Sequence, residues 1–172
     1  MTQEERNALL YKPQNGLDRI SAVEEAEMND YCEQYKAFLD VSKTERECVV
    51  SAIRLAEAKG FKPYTPGMAV APGDKLYYNH RGKAIMLMIL GQKPLSEGAN
   101  IGAAHTDSPR LDLKPNPLYE DAELAYLKTH HYGGVRKYQW VTVPLELHGL
   151  VVRRDGSEVY VKIGDDPKDP QL

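Results

Sequence analysis

Ala104-His105-Thr106-Asp107-Ser108-Pro109-Arg110-Leu111-Asp112 is the stretch on which the reading of this chain turns. It follows a small-residue run, Ala99 to Ala104, that is predicted as a buried strand, and it reaches a proline that cannot continue a ladder. His105 and Asp107 are therefore expected where a strand leaves its sheet, the usual place for chemistry in α/β proteins. A His-x-Asp pair there suits a metal. One imidazole nitrogen ligates, and the carboxylate two residues on accepts the other ring N–H, fixing tautomer and orientation. The triplet also occurs in plain surface turns, so the surroundings must decide.

Outward from it run Ile101-Gly-Ala-Ala-His105-Thr-Asp107-Ser-Pro109-Arg-Leu-Asp-Leu-Lys-Pro115, then Tyr132-Gly133-Gly134 and Tyr138-Gln139-Trp140. With these segments the chain closely resembles the aspartyl aminopeptidase family of zinc metallopeptidases, from its N-terminal helices to about Asp169. Members of that family are much longer, and only their N-terminal portion corresponds. The resemblance implies an α/β fold: a partial αβα zinc-peptidase catalytic domain over residues 1–115, then the first part of a β-rich inserted oligomerisation domain over 116–172. It implies His105 as a zinc ligand and Asp107 as the catalytic-centre carboxylate that orients its imidazole. It further implies a cytoplasmic homo-oligomer that removes N-terminal Asp or Glu from peptides with metal-activated water and two zinc ions. The family's other donors are a bridging aspartate, a Glu-Glu pair supplying base and ligand, another aspartate and a final histidine. All fall downstream of the sequence in hand.

Composition sets the outer limits. A chain of 172 residues is long enough for one domain with a core of its own. A formal net charge of −3 and an isoelectric point near 6.0 argue against nucleic acid or an anionic membrane as the main partner. The longest apolar run, Ala84 to Leu90, is strand-sized and far short of the roughly 20 residues of a membrane span. Met-Thr-Gln-Glu-Glu-Arg at the N-terminus has neither the basic nor the apolar region of a secretory signal. Cys32 and Cys48 fall in separate predicted helices, as reduced thiols of a cytoplasmic protein would.

Taken in order, Lys12-Pro13-Gln14-Asn15-Gly16 reads as a turn. Leu17, Ile20, Tyr31, Tyr35 and Phe38 then predict one amphipathic helix of about six turns ending near Asp40. The acidic run Glu24 to Glu27 is a solvated face of it. A second helix is expected from the capping-box spacing at Ser42 to Glu45, with Cys48, Val49, Ala52, Ile53 and Ala56 buried and Gly60 as its stop. Lys75 to Asn79 and Lys83 to Leu90 predict an antiparallel pair around His80-Arg81-Gly82, the second strand central because it is apolar on both faces. Arg110 to Lys114 is a short strand that Pro115-Asn116-Pro117 should break. Strands are further expected over Leu124 to Thr129, Tyr138 to Leu150 and Glu158 to Ile163, with a hairpin turn at Arg154 to Ser157. The closing segment Gly164 to Leu172 is expected as loop.

The remaining titratable residues do not assemble a second site by spacing. His130 and His131 are adjacent, so on a strand their rings point to opposite faces. His148 alternates with leucines and reads as a polar outward residue. His80 is expected exposed at its turn, and Glu120, Asp121 and Glu123 form an acidic loop with no spacing that ties it to His105. Tyr132-Gly133-Gly134 lacks the lysine and following helix of a phosphate loop and suits a tight bend. Ser108 precedes a proline and has no nucleophile-elbow context.

One zinc ligand and one orienting carboxylate do not make a catalytic zinc site, which needs three protein ligands and an open position. The chain alone is therefore expected to be inactive, as a truncated form that stops in an Asp/Pro-rich loop. Two alternatives are a non-catalytic binding or assembly module and one half of a split enzyme. Chelator-sensitive turnover on mixing two halves would mark the last of these.

Overall fold

The computed structural model describes residues 1–169 as an α/β chain in two compact units, Met1–Asp40 and Val41–Leu172. The first unit is helical. Helix α1, Gln3–Leu9, opens on a capping box in which the Thr2 side chain accepts from the Glu5 N–H and Glu5 returns to the Thr2 N–H. A 3-10 turn, Gly16–Arg19, is capped by Asn15, and α2 runs from Ala22 to Asp40.

The single long helix expected from Leu17 thus divides at Ser21. Its Oγ accepts the Glu24 N–H at 3.3 Å while Glu24 Oε2 takes the Ser21 N–H at 2.7 Å, which starts a new helix there. Those Ser21 bonds also hold the Glu24 carboxyl below its usual range, so its charge serves the helix start.

In the second unit, helix α3, Glu45–Ala58, packs on a three-stranded sheet. Its capping box is formed by Thr44 and Glu47, two residues later than the expected pairing of Ser42 with Glu45. The helix closes on Lys59, and Gly60 at φ +84° provides the left-handed residue that ends it. Thr44→Ala is expected to cost about 1 kcal/mol, the usual worth of an N-cap, read as a lower urea midpoint at unchanged slope.

The sheet order is β1-β2-β3, with β1 Lys62–Pro63, β2 Lys75–His80 and β3 Ala84–Ile89. The β2/β3 turn carries Arg81 and Gly82 at φ +58° and +66°, and the Asn79 side chain accepts the Gly82 N–H at 2.8 Å. Val49 and Ala56 of the helix and Leu76 and Tyr77 of β2 form the buried core. The Tyr77 hydroxyl reaches it from the sheet side, donating to Glu57 at 2.8 Å.

Two expectations need correction here. The middle strand is β2, and among the described residues β3 pairs on one side only, so Met86, Leu87 and Ile89 stay largely exposed. Apolar content on both faces sets what a strand needs to cover, not which neighbour it has. Residues 99–104 are irregular rather than a strand, because no described segment hydrogen-bonds beside them.

Two hairpins follow. Strands β4, Arg110–Asp121, and β5, Leu124–Tyr132, pair antiparallel, and β4 passes through Pro115-Asn116-Pro117 rather than stopping there. The prolines are absorbed by a register shift between Leu113 and Leu118, so their missing N–H groups fall where no ladder bond is due. The acidic loop resolves into the end of β4, with Glu120 and Asp121, and a two-residue turn of Ala122 and Glu123, both at positive φ. Strands β6, Leu147–Val152, and β7, Glu158–Ile163, form the second hairpin, whose turn and returning strand match the sequence reading. The strand expected from Tyr138 begins only at Leu147, and residues 137–139 form a 3-10 turn instead.

Candidate metal site

His105 and Asp107 lie in the irregular segment that leads into β4. The ring Nδ1 of His105 stands 3.3 Å from Asp107 Oδ1. The carboxylate faces the Nδ1 side of the imidazole, and Nε2 is the ring nitrogen it does not face. The two side chains differ in setting: His105 is 84% exposed and Asp107 only 21%.

Strand pairing explains how Asp107 is covered. Arg110 at the start of β4 stands opposite Tyr132 at the end of β5. The guanidinium carbon sits 4.1 Å from the Tyr132 ring centre, a cation–π distance. Arg110 Nη1 donates to Asp107 Oδ2 at 3.3 Å and Nε to Asp112 Oδ1 at 2.7 Å. Gly133, at φ +77°, comes so close to Pro109 that a Cβ there would lie 3.3 Å from its atoms. The His-Thr-Asp-Ser-Pro and Tyr-Gly-Gly segments, far apart in sequence, thus meet in space.

The electrostatics follow. The Tyr132 hydroxyl beside Asp107, with the Arg110 guanidinium assisting, holds the Asp107 carboxyl below the usual aspartate range despite some burial. The same carboxylate raises the Tyr132 phenol above its ordinary value. Sequence reasoning left Arg110 as an ordinary strand residue. The available signal was its alternation with Asp112 immediately after the His-x-Asp pair.

The other titratable residues go elsewhere. His130 and His131 are exposed neighbours on β5, opposite Asp112 and Leu111. Glu120, Asp121 and Glu123 sit at the far end of the β4/β5 hairpin from Arg110, where Glu120 accepts the Glu123 N–H.

His148 is a correction. Its side chain is only 7% exposed, with Nδ1 2.8 Å from Glu47 Oε1 and Nε2 2.9 Å from Glu146 Oε2. Alternation with leucines places a residue on the opposite face, but that face is covered here by the N-terminal turn of α3. Burial alone would raise the Glu47 carboxyl; the His148 bond and charge, with the Thr44 bonds, bring it below the usual range. Glu47, Arg110, Asp112 and His148 line one groove of about 410 Å3.

Among the described residues, no three His, Cys, Asp or Glu side chains gather as a metal-binding group. A catalytic zinc needs three protein ligands. The described residues around His105 and Asp107 therefore do not by themselves complete a zinc site. No described helix is long and apolar enough to cross a membrane.

The family described as aminopeptidase I zinc metalloprotease (M18) matches residues 38–172. A probable M18 family aminopeptidase 1 of Clostridium acetobutylicum is 45% identical over 168 residues, covering 95% of this chain and 36% of the relative. The crystal structure of aminopeptidase I from Borrelia burgdorferi B31 matches with a TM-score of 0.86 and 39% identity, over 92% of this chain and 39% of that one. An M18 aminopeptidase structure from Thermotoga maritima matches with a TM-score of 0.83 and 38% identity, over 94% of this chain and 35% of its own. The chain spans little more than a third of the length of these relatives. On the extent of that match, over most of its residues, the chain belongs to the M18 family of zinc metalloproteases.

Proposed function

We propose that this chain supplies the His105-bearing part of a zinc-dependent aminopeptidase that removes N-terminal Asp or Glu from peptides. The observation that carries the proposal is the His105–Asp107 pair, 3.3 Å apart, with the second ring nitrogen left to ligate. When bound, zinc polarises the scissile carbonyl and lowers the pKa of a water. The residues in hand have a narrower task. Asp107 holds the imidazole in one tautomer and one direction, and Arg110 neutralises the carboxylate that does so.

The remaining ligands and the general base are assigned to sequence outside these residues, so the 172-residue chain alone is inactive. Within that reading, residues 1–115 belong to the catalytic domain and 116–172 open the β-rich inserted domain used for assembly. The complete enzyme is a cytoplasmic homo-oligomer with two zinc ions.

The test is hydrolysis of N-terminal Asp, Glu and Leu chromogenic substrates. It compares the 172-residue chain with the longest natural chain carrying this sequence, each with zinc and with a chelator. The longer chain is expected to show chelator-sensitive turnover favouring Asp and Glu, and the 172-residue chain none. Zinc-dependent turnover by the 172 residues would refute the claim of inactivity. Preference for Leu would refute the acidic specificity.

A further inference from the structure

We infer that Arg110 and Tyr132 are positioning residues for the metal ligand, locking the Asp107 carboxylate in the orientation that faces His105. The inference rests on the reading of His105 as a ligand and names the residues that fix its direction.

Asp107 lies outside any strand, so its own backbone does not aim its side chain. Its two oxygens have separate tasks. Oδ1 faces the His105 ring and Oδ2 accepts from Arg110 Nη1, each at 3.3 Å. A carboxylate bound at one oxygen alone can swing about that bond; held at both ends, it cannot.

Arg110 has the fixings to act as that second hold. Its Nε is tied to Asp112 at 2.7 Å, and its guanidinium lies over the Tyr132 ring at 4.1 Å. The planar fork serves both carboxylates while its face rests on the ring, which a lysine ammonium cannot reproduce. Tyr132 contributes through that ring, which backs the guanidinium. Both residues are strand-borne and directly opposite each other, so the β4/β5 pairing sets the geometry. His105 itself is mostly exposed and depends on Asp107 for its orientation.

The test uses the longest natural chain carrying this sequence, with Tyr132→Leu, Arg110→Lys and His105→Ala. Three quantities are read: the zinc dissociation constant by chelator competition, the visible spectrum of the cobalt-substituted protein, and the melting temperature of the metal-free protein. Arg110→Lys is expected to weaken zinc binding about 10- to 100-fold, and Tyr132→Leu about tenfold, each with an altered cobalt spectrum. The inference is overturned if both variants bind zinc like the parent with the parent's cobalt spectrum while His105→Ala binds weakly. A lowered melting temperature with an unchanged spectrum would likewise overturn it, leaving the pair a packing contact. Should His105→Ala itself bind zinc like the parent, the ligand reading fails first and the inference with it.

Discussion

His105→Ala is expected to lower kcat/KM of the longest natural chain carrying this sequence about a thousandfold on an acidic N-terminal substrate. A metal that polarises a carbonyl stabilises the transition state by several kcal/mol, and about 4 kcal/mol corresponds to about three powers of ten. Losing one ligand removes that contribution by releasing the metal or by distorting its sphere. Asp107→Asn, which keeps shape and loses the anion, is expected to cost less, about 10- to 100-fold, because it acts only through the imidazole. A steady-state comparison at saturating zinc checks both. If His105→Ala were to stay within a factor of three of the parent, His105 would not be a ligand.

The second large effect falls on stability. His148→Leu leaves Glu47 and Glu146 facing an apolar side chain where each had an imidazole nitrogen within 2.9 Å. Bonds to charged groups are worth about 1.5–3 kcal/mol each. Both carboxylates are about a third exposed, so water screens part of that, and the expected loss is about 2 kcal/mol in total. For a chain of this size that amounts to a melting point lower by about 4–8 °C.

The pH dependence has a definite sign. Glu47 is depressed in the folded chain, so its contribution is complete above the unfolded glutamate value of about 4.3. It is lost as pH falls through the lower folded value. Urea midpoints of the parent should therefore drop on acidification below that range. In His148→Leu the drop should be shallower, because the partner that depressed Glu47 is gone. Equal slopes for the two proteins would show that the His148–Glu47 bond adds nothing.

Local chemistry was the legible part of the sequence. Helix α3 and its glycine stop, the His80-Arg81-Gly82 turn and the whole of β7 follow from caps, turn residues and alternation within a few positions. The pairing of His105 with Asp107 across two residues was legible for the same reason. What was not legible depends on partners distant in sequence. The place of β3 in its sheet depends on which segments lie beside it, and the same holds for residues 99–104. His148 shows the difference most plainly. Alternation gave its face, but only the fold reveals that α3, about a hundred residues earlier in the chain, covers that face with Glu47. Arg110 and Tyr132 likewise acquire their roles only through the β4/β5 register.

That register has a consequence for how the hairpin opens. Pairing is continuous from Arg110 to Leu113 and again from Leu118 to Asp121, with a stretch containing two prolines between them that has no partner in register. The hairpin is therefore a root and a tip joined by a slack link. The tip exposes Leu118 and Leu124 and leaves both rings of the stacked Tyr119–Tyr126 pair 39% exposed, so little burial holds it closed. Its amides can unzip and rezip in brief local excursions while the ladder at Arg110 and Tyr132 stays shut. Breathing at one end of this arm is thereby kept from reaching the carboxylate at the other.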